Sequence, residues 1–147
     1  MPKITSDLKL TGHLTIAVNG EVVQEIPNLV VNAGKEFVIS RMKDTSDGAM
    51  THMAIGTGTG APSAGETTLG ASEAARVSLD STTVSGQSIT YVANFPTDTP
   101  NTLTGLNEAA IFNAGSGGIM LCRTKFAGVV NKDTTDSMAI SWTITAS

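Results

Sequence analysis

The amino-acid sequence predicts an all-β protein, an antiparallel β-sandwich or jelly roll with one short α-helix near residues 33–43. Short apolar segments of period two recur along the chain and are separated by clusters of Gly, Pro, Asn, Asp, Ser and Thr. Charged residues make up only 15% of the chain, against about 25% in typical soluble domains. The length of 147 residues predicts a single domain over 1–147, with an N-terminal arm at about 1–7.

The N-terminal part of the chain predicts a β-hairpin. Leu8 to Val18 alternates apolar residues with Lys, Thr and His, which is typical of a half-buried strand. Asn19-Gly20 follows, a pair that favours a two-residue turn because both positions take positive φ. Glu21 to Ile26 returns as the second strand, and Pro27 is expected to interrupt it.

The next segment, Asn32 to Lys43, predicts the helix. Asn32 is a suitable N-cap, and i,i+4 neighbours on one flank are supplied by Phe37, Val38, Arg41 and Met42. Gly34 in the first turn indicates close packing against a sheet.

The rest of the chain predicts short strands. Their expected ranges are His52–Gly56, Arg76–Thr83, Gln87–Phe95, Leu106–Asn113, Ile119–Phe126 and Met138–Ala146. Turn-forming segments of Gly, Pro, Asn and Asp separate them, a spacing typical of a β-sandwich or jelly roll.

Composition argues against several classes of function. The chain has 9 Lys and Arg against 13 Asp and Glu, a net charge of −4, and no basic cluster that could follow a phosphate backbone. Cys122 is the only cysteine, so the chain forms no internal disulfide, and we expect a buried, inert thiol. No apolar segment approaches the roughly 20 residues of a membrane span, and the N-terminus does not resemble a signal peptide.

The candidate catalytic and binding motifs are weak. The glycines of Gly56–Gly60 lack the spacing of a dinucleotide-binding loop and are read as a turn. His13 and His52 lie on separate predicted strands without metal-ligand spacing. No serine stands in a nucleophile elbow. We therefore predict no catalytic residue, no metal, no cofactor and no small-molecule substrate.

Three charged residues stand among small or apolar neighbours: Glu73, Arg76 and Glu108. An unpaired buried charge costs several kcal/mol, so we expect a structural ion pair of Arg76 with Glu108 or with Glu73. The alternative is a pair of glycosidase-type carboxylates, or an enzyme using Glu73, Glu108 or His52. Aromatic residues are only 4% of the chain, few for a sugar platform.

Several short motifs follow one another along the chain: MAIGTGTG, then a Thr-Leu segment with a Glu-to-Arg stretch, then SITYVANFP, LNEAAIF, GIMLCRTKF and finally MAISWTIT. Their order resembles that in small structural proteins of tailed bacteriophages. These motifs extend over about residues 32–145, and Met1 to Val31 does not match the pattern. The likeness is greatest to head decoration, or cement, proteins; the alternative is a tail-fibre, tail-tip or baseplate module that is structural or binds a host receptor.

The resemblance implies a β-sandwich without cofactor or catalysis that assembles as a dimer or trimer on the outside of the capsid. Its partners would be the major capsid protein and other copies of itself, with no direct contact to nucleic acid or membrane, after synthesis in the host cytoplasm. From exposure and turn content, we expect the assembly surface to include Lys3, Ile4, Thr57, Thr59, Pro62, Phe95, Thr97 and Pro100.

Overall fold

The computed structural model describes residues 7–43 and 47–147. One helix and nine strands are found in this part of the chain: β1 (Leu10–Val18), β2 (Glu21–Val30), α1 (Asn32–Arg41), β3 (His52–Gly56), β4 (Glu73–Ser78), β5 (Ser81–Ser85), β6 (Ser88–Phe95), β7 (Thr104–Phe112), β8 (Met120–Lys132) and β9 (Met138–Ala146). The all-β prediction is confirmed.

The nine strands form one antiparallel sheet in the order β4-β3-β7-β8-β2-β1-β9-β6-β5. Strands β4 and β5 lie at opposite edges, yet only Leu79 and Asp80 separate them in sequence. Such a link spans about 10 Å, so the sheet must curl until the end of β4 lies near the start of β5.

The link between β4 and β5 is a sharp corner. The Leu79 N–H donates to the carbonyl of Thr51 at 2.8 Å, whereas the Asp80 N–H donates to the carbonyl of Val92 at 2.7 Å. Consecutive amides thus bond to opposite ends of the sheet. The prediction of one strand over Arg76–Thr83 is therefore wrong, because the chain changes its hydrogen-bonding partner in the middle of that range.

A second bend lies in β2. Its first eight residues pair with β1, but Leu29 and Val30 pair with β8. Pro27 does not end the strand: its carbonyl accepts a bond from the Thr124 hydroxyl of β8 at 2.8 Å. The N and C=O of one strand residue point to the same side of the strand. The carbonyl of Pro27 faces β8, so the N–H that proline lacks would also face away from β1. No hydrogen bond between β1 and β2 is lost.

Helix α1 packs on β8 through Gly34. A Cβ at this position would lie 2.0 Å from the carbonyl oxygen of Leu121, so the predicted close packing is confirmed. Asn32 is not the cap. The N-cap is Val31, which makes no side-chain bond, and the Asn32 N–H donates to the Ala64 carbonyl at 2.7 Å. The helix also ends at Arg41, before the predicted Lys43.

The core lies between the two halves of the curled sheet. Leu14 of β1 and Trp142 of β9 belong to the same buried cluster as Ile55 of β3 and Ile111 of β7. Cys122 is buried there as predicted, and burial raises its pKa. Within the described ranges, no helix is long and apolar enough to cross a membrane.

Candidate functional site

The most unusual group in the interior is the carboxylate of Glu108 on β7, whose residue is 0% exposed. Three backbone N–H groups donate to it, from Gly58 at 2.5 Å, Gly70 at 2.6 Å and Ala71 at 3.2 Å. Arg123 of β8 adds two charge-assisted contacts, from Nε at 3.0 Å and Nη2 at 2.9 Å. Both carboxylate oxygens are thereby satisfied, which is what a buried charge requires.

The guanidinium of Arg123 is satisfied in turn and is 0% exposed. Its Nη1 contacts Oε1 of Glu66 at 3.1 Å, and Nη2 donates to the Gly60 carbonyl at 3.0 Å. Glu66 also accepts the Ser63 N–H at 2.5 Å. These bonds attach residues 57–72, here named the glycine loop, to β7 and β8.

The glycines of this loop are explained by the ion pair beneath them. A Cβ on Gly58 would lie 2.2 Å from Oε2 of Glu108, and one on Gly70 would lie 2.9 Å from Nη2 of Arg123. The loop amides that could have bound a phosphate donate instead to an internal carboxylate. The turn interpretation of Gly56–Gly60 therefore holds, with a carboxylate as its organising centre.

Of the two expected partners of Arg76, Glu108 is excluded, because Glu108 bonds to Arg123. Arg123 was not among the charged residues expected to form an ion pair. A signal was nevertheless available: Arg123 interrupts an apolar strand, as Glu108 does, and the two strands are consecutive in the chain and hence prime candidates for a hairpin.

Arg76 contacts the other expected partner, Glu73, by an ion pair and by a 3.0 Å bond from Nε. Its Nη1 donates to the carbonyls of Ala114 at 2.9 Å and Gly117 at 2.8 Å, and its guanidinium carbon lies 3.8 Å from the centre of the Phe112 ring. Arg76 thus fastens the turn between β7 and β8 to edge strand β4. Glu73 and Glu108 each face a different arginine.

The histidines are not brought to a metal site. His52 places Nδ1 2.8 Å from the Thr51 hydroxyl and Nε2 3.4 Å from the Ser78 hydroxyl. In a Ser-His-Asp triad the second ring nitrogen of the histidine bonds to a carboxylate. Here Nδ1 of His52 bonds to the Thr51 hydroxyl instead, so His52 and Ser78 do not form such a triad. His13 is exposed on β1. Over residues 7–43 and 47–147, no three His, Cys, Asp or Glu side chains come together as a metal site.

The expected assembly residues fall into four groups. Thr57, Thr59 and Thr97 are exposed, and Pro62 and Pro100 are half-buried. Phe95 is 0% exposed, so its assignment to the surface is wrong. It ends β6 on the inward phase, with Tyr91 and Ala93, and belongs to the core cluster. Lys3 and Ile4 lie outside the described residues.

Near the loop at Pro96 lies a second fully buried cation, Lys132. Its ammonium donates to the Pro96 carbonyl at 2.8 Å. Burial lowers the pKa of Lys132, and the nearby charges of Asp136 and Asp98 oppose that shift.

No protein-family model, no curated protein and no solved structure matches the chain. The function is therefore argued from the residues and their geometry.

Proposed function

We propose that this protein is a capsid decoration protein of a tailed bacteriophage, which binds the outside of the head and stabilises the shell of the major capsid protein. One observation carries the proposal. Four of the motifs behind the resemblance, IGTGTG, TTLGA, NEAAIF and MLCRTKF, come from three separate parts of the chain and meet at the ion pair of Glu108 and Arg123. Their residue types serve one structural purpose, to hold the glycine loop.

The chemistry of this site favours adhesion over catalysis. The amides of Gly58, Gly70 and Ala71 and both charges of the ion pair are used internally, so the loop presents a fixed surface that includes Thr57 and Thr59. A surface already held in place loses little conformational entropy on binding. A protein that binds only the assembled shell stabilises it by mass action, and many copies give avidity.

The same proposal includes the finer architecture, a β-sandwich. Its support is the pair of bends, in β2 and at Leu79-Asp80, which divide the curled sheet into two halves around a shared core. The jelly-roll form of the sandwich stays a prediction.

The first test locates the protein on intact phage particles. Immunogold labelling is combined with the copy number per particle from quantitative mass spectrometry. We expect hundreds of copies distributed over the head. A few copies at one pole would replace this proposal with the alternative, a tail-fibre, tail-tip or baseplate module. Absence from the particle would reject both.

A second test asks whether the glycine loop contacts the shell. Purified protein carrying T57R and T59R is mixed with heads that lack the protein, and bound protein is measured after sedimentation. We expect at least a tenfold loss of binding, because two uncompensated charges would be desolvated at the contact. The control is S141R, an exposed position on β9. Equal binding of both variants would remove the glycine loop from the assembly surface.

A further inference from the structure

The two edges of the sheet differ in how they are protected against pairing. Edge strand β4 carries Glu73 and Arg76, and its register with β3 shifts between Ile55 and Gly56. Charges and bulges are the usual protection of an exposed edge. Edge strand β5, with the sequence STTVS, has no charge, no proline and no register shift, and all five of its residues are exposed.

The geometry of the β5–β6 hairpin shows which backbone groups of β5 face outward. Its two-residue turn, Gly86-Gln87, makes Ser85 and Ser88 the first hydrogen-bonded pair. Alternation then directs Ser81, Thr83 and Ser85 towards β6. The N–H and C=O groups of Thr82 and Val84 consequently point away from the sheet.

An apolar groove lies beside this edge. It has a volume of about 340 Å³ and lies between α1 and the inner face of β5, β6 and β9. Its lining includes Phe37, Val38, Ile89 and Ile144. Val84 of β5 also lines the groove. Its side chain is on the inner, apolar face of the sheet, yet the residue is 70% exposed. The sheet thus extends past the cover that α1 gives to the core.

We propose that two copies of the protein pair through β5, antiparallel about a two-fold axis at Thr83. Thr82 of each copy then stands opposite Val84 of the other, and the two pairs form four main-chain hydrogen bonds. Both inner faces lie on the same side of the joined sheet, so the two grooves open towards each other. The pairing is a property of the purified protein and does not depend on the proposed role in a virion.

Charge favours a second copy as the occupant. The paired strands carry no charge, so no charge is buried. Asp80, which precedes β5, lies opposite Gly86 of the other copy, and the two Asp80 residues are separated by about six residue steps, roughly 20 Å. This is well beyond the screening length of about 8 Å at physiological salt.

The register is tested with cysteine variants. Thr83 of the two copies would form a non-hydrogen-bonded pair with Cα atoms about 4.5 Å apart, within the range for a disulfide. We expect T83C to form a disulfide-linked dimer at least tenfold faster than S85C. In S85C the cysteine of one copy would stand opposite Ser81 of the other, so the two cysteines would not meet. Cys122 is buried and does not compete. Equal rates, or no cross-linking of T83C, would overturn the proposal.

The hydrogen bonds are tested without cysteine. Thr82→Pro removes an outward N–H and keeps the bonds to β6, while Thr82→Val is the control that keeps the donor. By analytical ultracentrifugation, we expect the dimer dissociation constant to rise about 100-fold in T82P only. Circular dichroism checks that both variants fold. A wild-type protein that is monomeric at all concentrations, or a dimer unaffected by T82P, would overturn the self-pairing.

Discussion

Strand β8 carries two fully buried basic side chains, Arg123 and Lys132, which are accommodated in different ways. Arg123 meets the carboxylates of Glu108 and Glu66 and a backbone carbonyl. Lys132 bonds to the carbonyl of Pro96, and the acidic groups near it act only from a distance. The planar guanidinium of Arg123 can bond to several acceptors at once, so it can fix the conformation of a whole loop. The ammonium of Lys132 fixes only the backbone carbonyl to which it donates.

The largest effect is expected from removing the partner of Arg123. Glu108→Ala leaves a buried guanidinium without its main counter-charge and frees the amides of Gly58 and Gly70. We expect the free energy of unfolding to fall by about 3–5 kcal/mol, measured by urea denaturation. In the double variant E108L/R123M only the part of this loss that comes from the unpaired guanidinium should be recovered, because the amides of Gly58 and Gly70 still lack their acceptor. A loss below 1 kcal/mol in E108A would show that the pair does not hold the loop.

A smaller effect is expected from crowding the same carboxylate. Gly58→Ala places a Cβ against Oε2 of Glu108, and we expect a loss of about 1–3 kcal/mol in thermal or urea unfolding. Gly60→Ala is the matched control in the same loop, since nothing lies within 4 Å of its Cβ position. Similar losses in the two variants would contradict a close approach at Gly58.

Arg76 is an intermediate case, a half-buried arginine at the sheet edge. Arg76→Ala removes the Glu73 ion pair, two bonds to carbonyls and the stacking on Phe112. We expect a loss of about 1–2 kcal/mol. Arg76→Lys should recover only part of it, because an ammonium cannot serve these acceptors together. Unchanged folding and assembly of R76A would refute a structural role for Arg76.

The smallest expected effect is on the pH dependence of the free energy of unfolding, and it distinguishes Lys132 from Arg123. The pKa of Lys132 is below its ordinary 10.5 in the folded protein, so the unfolded chain binds more protons between the two values. The contribution of Lys132 to the free energy of unfolding therefore rises with pH in that interval and is complete above 10.5. We expect the free energy of unfolding of the wild-type protein to include this rise with pH, and we expect the rise to be absent in Lys132→Met.

The measurement must be the difference between wild type and K132M, because two other groups act in the opposite direction. Burial raises the pKa of Cys122, and raises that of Tyr91 to about 12. Each keeps its proton in the folded state after the unfolded chain has lost it, so their contributions fall as pH rises. A difference that does not change with pH would show that Lys132 is not held in a desolvated site.

Local patterns in the sequence predicted much of the secondary structure. The strands His52–Gly56 and Met138–Ala146 were predicted with the bounds that the structure shows, because alternation or flanking turn residues mark both ends. The strand order was not predictable, since it depends on pairings such as β1 with β9 that no local signal specifies. The corner at Leu79-Asp80 was missed because both sides of it are rich in strand-forming residues.

The candidate site was predicted only in part. The sequence singled out Glu108 and Arg76 because a charge in an apolar or small-residue run needs a partner, but it did not identify the partner of Glu108. Strand pairing decides that choice, and it brings Arg123 beside Glu108 while Arg76 faces the turn at Ala114. Phe95 was assigned to the surface from the turn content of the segment that it begins, although its alternation phase directs it inward.

The position of β9 determines when the fold can be completed during synthesis. β9 is the last of the nine strands to leave the ribosome, but it lies in the interior of the sheet, between β1 and β6. Until β9 is made, the hairpins β1–β2 and β5–β6 have no common neighbour in the sheet. Contacts of such large sequence separation form slowly. We therefore expect the sheet to be completed only after β9 has been synthesised.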